Sequence, residues 1–228
     1  MVTPITGVDV VIKYTELTST SMTNEQMSVV NDEFPGVTNY TVYRITNSLK
    51  RYLDDSVVPT FQKSLNGTDW TTIPSSDIEE IQYPGGRLVL KSPLNADYYV
   101  KCSSGKYFST LTDIIYAKAI KVSWKNDTSD VTVFTNNARV KYPVLDDWSA
   151  TIDTFVAMDE LGDFPQLDNL KALRGQKVVV VFYLDESNDF RLEGYGYLEG
   201  ADINMSPGDV IQQPISIVGS GKLYMRLV

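Results

Sequence analysis

The amino-acid sequence predicts an all-β protein. Short runs rich in valine, isoleucine, threonine and tyrosine recur along the 228 residues, and turn-forming glycine, proline and asparagine separate these runs. Only one segment shows clear helical spacing. A hydrophobic fraction of 43% and a charged fraction of 21% are ordinary for a globular chain with a buried core. The length fits one large β domain, or one domain with a small appended module.

The predicted strands are bounded by turn-forming residues. In chain order they are 8–14, 40–46, 57–65, 78–83, 87–91, 98–102, 119–124, 131–135, 149–155, 177–184, 190–198, 211–218 and 222–227. Asn66-Gly67 predicts a tight hairpin after the third strand, because both residues tolerate positive φ. The sequence YPGG at 83–86 predicts a second turn.

One helix is predicted at 165–174, where the sequence is PQLDNLKALR. Its three leucines recur at helical spacing, Pro165 suits a first turn, and Gly175 suits the position after the last turn. A shorter helix is possible near 47–53.

The strand 177–184, KVVVVFYL, lacks polar alternation, so both of its faces must be covered. A core covers one face, and a helix, a loop or another subunit must cover the other. The strand 190–198, FRLEGYGYL, alternates, and its two glycines allow close approach of a neighbour. Neither this pair nor the GSGK at 219–222 has the spacing of a phosphate-binding loop.

The composition excludes several classes of function. The chain has no histidine, which excludes Ser-His-Asp and Cys-His catalysis and histidine-ligated zinc. The single cysteine, Cys102, has no partner for a disulfide and is predicted to be a buried strand residue. No cofactor or metal is expected.

Charge and hydropathy also limit the partners. A net charge of −9 argues against binding nucleic acid through phosphate contacts. The N-terminal sequence lacks the pattern of a secretory signal, and no apolar run approaches the roughly 20 residues of a membrane span. We therefore expect a soluble protein that is not exported and has no membrane partner.

Three pairs of adjacent acids could in principle supply the two carboxylates of a glycosidase. They are Asp54-Asp55, Glu79-Glu80 and Asp146-Asp147. Neighbouring residues on a strand point to opposite faces, so no single pair can flank a bond. We interpret them as solvated surface charges and predict no catalytic residue.

An acidic, histidine-free β protein with a two-faced apolar strand has the profile of an assembly subunit. Five stretches of the first half form a recognisable pattern: MTNE at 22–25, YRITN at 43–47, KRYLDD at 50–55, YPGGRLVL at 83–90 and SGKY at 104–107. This pattern resembles that of major tail tube proteins of long-tailed bacteriophages that carry an additional hairpin module. The second half is similar too, from the strand near 117–124 to the closing GSG. Leu53 and Asp55 depart from the pattern, which prefers Trp and Pro there.

The resemblance implies a tail-tube-type β-sandwich or barrel, with one short helix and an appended small β-hairpin module. It places the tube domain at 1–20 and 111–228 and the module at 21–110. It also implies a structural virion protein, assembled in the host bacterial cytoplasm, that forms stacked rings, conventionally of six copies.

In that family the rings form the conduit for DNA ejection. The implied partners are further copies of the chain and the tail tape-measure, tail terminator and distal tail or baseplate proteins. DNA would pass through the lumen without specific binding.

The resemblance and the apolar strand together give two sets of candidate residues. The subunit-interface candidates are Val179, Val181, Tyr183 and Trp148. The lumen candidates are Asp9, Asp153, Glu193 and Glu199, because an acidic bore would not retain a polyanion.

Three other interpretations remain open. A carbohydrate-binding β-sandwich would use the 14 tyrosines and three tryptophans and would be a monomer with exposed, coplanar aromatic rings. A glycoside hydrolase would use two carboxylates distant in sequence. Another phage structural or decoration protein would share the composition.

Overall fold

The computed structural model describes most of the chain as antiparallel β-structure. The described residues are 11–15, 18–30, 41–109, 111–113, 117–130, 141–155, 172, 174–185, 190–201 and 212–226. Within them no helix reaches seven residues, and the predicted all-β class is confirmed.

The first sheet is curled and has seven strands. They are β1 (Val11–Thr15), β9 (Leu111–Asp113), β10 (Ala117–Asp130), β11 (Lys141–Phe155), β12 (Lys177–Asp185), β13 (Phe190–Ala201) and β14 (Gln212–Arg226). Their spatial order is β10-β11-β14-β13-β12-β1-β9, and all neighbours are antiparallel.

The second sheet also has seven strands. They are β2 (Ser19–Val29), β3 (Val42–Ile45), β4 (Thr60–Ser64), β5 (Thr71–Thr72), β6 (Ile78–Gln82), β7 (Arg87–Leu90) and β8 (Tyr99–Phe108). Their order is β5-β4-β8-β2-β3-β7-β6. This sheet is larger than the small hairpin module that the sequence predicted. The chain passes between the sheets near the expected boundaries, and their independence as domains stays a prediction.

The predicted turns form, with one difference in length. Gly85 and Gly86 adopt positive φ between β6 and β7, as the YPGG sequence predicts. Gly67 also has positive φ, but the loop from β4 to β5 is longer than a two-residue turn. Asn66 organises it, because its side-chain oxygen accepts hydrogen bonds from the backbone N–H groups of Thr68 and Asp69.

The two predicted helices have different outcomes. Near 47–53 the structure has a single 3₁₀ turn, Ser48–Lys50, capped by the side chain of Asn47. The helix predicted at 165–174 lies outside the described residues except for 172 and 174. Gly175 has a positive φ and follows Arg174, which forms an isolated bridge with Leu198.

The core of the first sheet lies on one of its two faces. It contains residues from four adjacent strands: Trp148, Ala150, Ile152, Val178, Val180, Phe182, Leu192, Leu198, Ile215 and Ile217. Trp148 lies across the glycines of β13 and β14, and its indole N–H donates to the Gly221 carbonyl at 3.1 Å. These glycines therefore make room for a tryptophan.

The core of the second sheet is separate. It includes Met22, Tyr43, Ile45, Leu53, Phe61, Leu88 and Cys102. Cys102 is buried, as the sequence predicts, and burial raises the pKa of its thiol to about 12. The thiol is therefore held in the protonated, unreactive form at neutral pH.

Candidate functional site: the junction between the two sheets

The two sheets meet at residues 50–55, which we call the junction segment. Tyr52 of this segment packs with Val179 and Val181 of β12 and with Tyr195 of β13. Val178, Val180 and Phe182 on the opposite face of β12 lie in the core of the first sheet. The second sheet and the junction segment thus cover the face of β12 for which the sequence required a partner.

Polar contacts surround this apolar centre. The Tyr195 hydroxyl donates a hydrogen bond to the Leu53 carbonyl, and Lys177 forms an ion pair with Asp55. At another point Lys222 of β14 forms an ion pair with Glu80 of β6 at 2.6 Å. These contacts fix the register of one sheet on the other.

The second sheet holds the junction segment through its backbone. The Leu53 N–H donates to the Tyr83 carbonyl at 3.0 Å, and the Asp54 N–H donates to the Lys106 carbonyl at 2.9 Å. The Tyr52 carbonyl accepts from the Phe108 N–H at 2.8 Å. The segment is thereby fastened to the β6–β7 turn and to β8.

Side chains fasten the first residues of the segment. The Arg51 guanidinium donates to the Ile45 carbonyl at 2.9 Å, and Lys50 forms an ion pair with Glu25 of β2. Gly86 lies so close that an added Cβ would come within 2.8 Å of the Arg51 carbonyl oxygen. Only glycine fits at this point of the turn without a shift of the backbone.

A buried ion pair lies beside the apolar centre. Arg191 and Glu193 of β13 are 2.6 Å apart, and Glu193 is 0% exposed. Burial alone would lower the pKa of Arg191, but the charge and hydrogen bond of Glu193 raise it overall. Burial, followed by the charge of Arg191, lowers the pKa of Arg44 on β3, which places this arginine close to the pair from the other sheet.

The junction tyrosines are held in the neutral form. Burial raises the pKa of Tyr52 well above its ordinary value, and the negative charge of Glu193 adds to the shift. Burial likewise raises the pKa of Tyr195, with a further contribution from Asp55. A protonated Tyr195 is what the hydrogen bond to Leu53 requires.

Most of the subunit-interface candidates are buried within the single chain. Val179 and Val181 are 0% exposed, and Trp148 is 2% exposed in the core. Tyr183 is partly buried against the junction. The sequence-based reason for placing a neighbouring subunit on these side chains therefore no longer applies, since the chain covers β12 by itself.

The lumen candidates are in three different situations. Asp153 and Glu199 are exposed on β11 and β13, whereas Asp9 lies outside the described residues. Glu193 is buried with Arg191 and so is not a surface acid. Strand alternation puts Glu193 on the face opposite Leu192, but the sequence does not show that the second sheet covers that part of the face.

Three residues of the acidic pairs, Asp54, Asp55 and Glu80, make structural contacts, whereas Glu79 and Asp147 are exposed. The Asp54 carboxylate accepts hydrogen bonds from the N–H and hydroxyl of Ser56, and Asp55 and Glu80 pair with lysines across the junction. The side chain of Asp146 is outside the described part. No group of three metal-ligating side chains occurs among the described residues.

The three tryptophans have different environments. Trp148 is buried, and Trp70 lies under the Lys101 ammonium at 4.1 Å. Trp124 on β10 is 56% exposed. The coplanar platform of exposed rings expected of a carbohydrate-binding surface is therefore not formed by the tryptophans.

Comparison with known proteins gives limited similarity. No family model and no curated protein matches the chain. Among solved structures, a chain from the "virion of native gene transfer agent (GTA) particle" is 14% identical with a TM-score of 0.40, covering 50% of this chain and 88% of that one. A chain from the "tail of empty GTA particle", described with C6 symmetry, is 16% identical with a TM-score of 0.38, covering 50% and 85%.

Among the described residues, none is in a helix long and apolar enough to cross a bilayer.

Proposed function

We propose that this chain is a structural subunit of a bacteriophage-type tail. Copies of it assemble into stacked, hexameric rings that form the tail tube, the conduit for DNA ejection. It acts in the virion after assembly in the host cytoplasm, next to tape-measure, terminator and distal tail or baseplate proteins. It is not an enzyme.

The observation that carries this proposal is the convergence of the five stretches that resemble tail tube proteins. They are separated by up to about 80 residues in sequence, yet all of them meet around the junction segment. Glu25 contacts Lys50, Ile45 accepts from Arg51, and Tyr83 accepts from Leu53. The residues that carry the resemblance therefore form one contact network around the junction segment, which supports reading them as a single structural unit.

The position of that network also supports a structural role. The segment 50–55 joins a curled sheet to a second sheet, and its carboxylates are used in ion pairs and hydrogen bonds. A link between two sheets that is held by packing, hydrogen bonds and an ion pair suits a repeated subunit, in which each copy must present the same shape.

The acidity of the chain supports the lumen part of the proposal. Asp153 and Glu199 are exposed on the first sheet, and the chain has a net charge of −9. A bore lined by such residues would repel phosphate groups and let DNA slide.

Sedimentation velocity over a wide range of protein concentration tests the proposal. We expect the monomer to be replaced by a discrete ring species and then by longer particles as concentration rises. Because nucleation can be slow, preformed particles are added as seeds in a parallel series. A protein that remains monomeric at all concentrations, with and without crowding agents, would contradict the proposal.

A further inference from the structure

The loop between β4 and β5 contains the chain's single asparagine–glycine pair. Asn66 and Gly67 are both exposed, and an added Cβ at Gly67 would meet nothing within 4 Å. Asparagine is a thermolabile residue, because its side-chain amide can react with the backbone nitrogen that follows it. A following glycine favours this reaction, since it has no Cβ to shield the nitrogen.

Hydrogen bonds hold the Asn66 side chain in one position. Its oxygen Oδ1 accepts from the Ser64 hydroxyl at 3.0 Å. The same oxygen accepts from the backbone N–H groups of Thr68 and Asp69 at 2.9 and 2.8 Å. Its nitrogen Nδ2 donates to the Asp69 carboxylate at 2.6 Å. The amide must therefore break several contacts before it can turn toward the backbone.

The attacking nitrogen is held as well. The Gly67 N–H donates to the Ser64 hydroxyl at 3.0 Å, and this hydroxyl also donates to Asn66. Attack requires the nitrogen to lose its proton and so to give up this contact. Ser64 is 2% exposed, which limits the access of water to its hydroxyl. Ser64 therefore restrains both reacting groups.

We propose that Asn66 is a site of spontaneous deamidation, and that the contacts of Ser64 keep the reaction slow in the folded chain. The Gly67 nitrogen forms a bond to Cγ of Asn66, and the Cγ–Nδ2 bond breaks. Nδ2 leaves as ammonia with the proton that the Gly67 nitrogen loses. Water then opens the cyclic imide to aspartate or isoaspartate. No electrons are transferred, and the inference is independent of the proposed function.

The product breaks the contacts that order the loop. A carboxylate has no donor, so two like charges face each other where Asn66 donates to Asp69. The loop also holds Trp70, whose indole N–H donates to the Gly67 carbonyl at 3.1 Å. The Lys101 ammonium lies 4.1 Å from the centre of the same indole. Deamidation should therefore open the loop and expose Trp70.

Peptide mapping by mass spectrometry, after incubation of the purified chain at mildly alkaline pH, gives the first test. Asn95 is the internal control, because it is exposed and is followed by Ala96. We expect unfolding in urea to speed the conversion of Asn66 much more than that of Asn95. Equal acceleration at the two sites, or no conversion of Asn66 in either state, would overturn the proposal.

Matched substitutions test the restraint. Ser64→Ala should speed conversion of Asn66 in the folded chain roughly five- to thirtyfold, the factor equivalent to one or two lost hydrogen bonds. Ser103→Ala is the control, because its hydroxyl donates to the Thr60 carbonyl, away from the loop. Asp69→Ala, at an exposed position, removes the Nδ2 contact and should also speed conversion. Unchanged rates in these two loop variants, with thermal unfolding showing that they are folded, would contradict the assigned restraint.

Acrylamide quenching tests the consequence for Trp70. It is measured in Trp124→Phe, so that Trp70 is the accessible indole beside the buried Trp148. Asn66→Asp, which carries the product side chain, should raise the quenching. Asn95→Asp adds the same charge elsewhere and should leave it unchanged. Equal quenching in the two variants would show that the loop stays closed, and this part of the proposal would be wrong.

Discussion

Trp148 and its glycines show how single residues shape the first sheet. The indole covers Gly194, Gly196 and Gly219, where an added Cβ would meet the ring or a neighbouring side chain. The sequence predicted a close approach at the first two, and the structure identifies Trp148 as the group that approaches. Glycine is required at these positions because the Trp148 ring lies where a side chain would be, and not because they form a phosphate-binding loop.

Gly219→Ala should lower the free energy of unfolding by about 1–3 kcal/mol, because the new methyl group would overlap the Trp148 indole. Gly200→Ala is the control, since a Cβ there meets nothing within 4 Å. Denaturant unfolding followed by tryptophan fluorescence measures both. Equal stability of the two variants would show that Trp148 can move aside.

The buried pair Arg191–Glu193 makes a second residue-scale prediction. Glu193→Gln should cost about 3–5 kcal/mol of stability, because it leaves the Arg191 charge buried without its carboxylate. Glu199→Gln on the exposed part of the same strand should cost little. Replacing both Arg191 and Glu193 with leucine should recover much of the loss. A double variant as unstable as Glu193→Gln would mean that Arg191 or Glu193 also stabilises the fold through contacts outside this pair.

At the scale of elements, the sequence predicts the strands best where side chains alternate or are uniformly apolar. The strands near 42–45, 60–64 and 177–185 were predicted with small errors at their ends. β2 was missed because it is polar and its pattern is interrupted: Asn24 has φ 53°, and buried Met22 and Met27 are five residues apart. An odd spacing on one face breaks the alternation on which the prediction depends.

The other misses have similar local reasons. β5 and β9 have two and three residues, too few to show a pattern. β14 was predicted as two strands because the GSG at 219–221 resembles a turn. The strand continues through it, since Gly219 is required by Trp148 and not by a reversal of the chain.

The junction segment could be located from sequence, but its contacts could not. The KRYLDD motif has no strand or helix periodicity, so local pattern does not indicate what it touches. Its partners Lys177 and Tyr195 are more than 120 residues away. Long-range packing of this kind follows from the fold of both sheets together.

Alkaline pH should weaken the junction. Tyr52 and Tyr195 have folded-state pKa values above the ordinary 10.0, so the unfolded chain releases these protons first as pH rises. The contribution of these two protonated tyrosines to the free energy of unfolding is therefore fully present below about pH 9. It is lost progressively above about pH 10. Thermal unfolding from pH 8 to 11 should show this fall, and Tyr52→Phe should reduce it. Tyr197→Phe, an exposed control, should leave the pH dependence unchanged.

At the scale of the whole molecule, the junction segment joins the two sheets, and the proposed bore depends on the exposed acids of the first sheet. Asp153→Lys and Glu199→Lys should leave assembly largely intact but make tubes retain duplex DNA at low salt and release it as salt rises. Glu79→Lys on the second sheet is the control. Co-sedimentation of DNA with tubes measures retention. If the lysine variants retain no DNA, or an assembled structure has a neutral or basic bore, the lumen assignment is wrong.

Electron microscopy of the purified, concentrated protein tests the central claim most directly. The account predicts hollow rings with sixfold symmetry, stacked into tubes whose bore is wide enough for a DNA duplex. Class averages that show only single particles of one chain, or solid and open-ended aggregates with no channel, would contradict it.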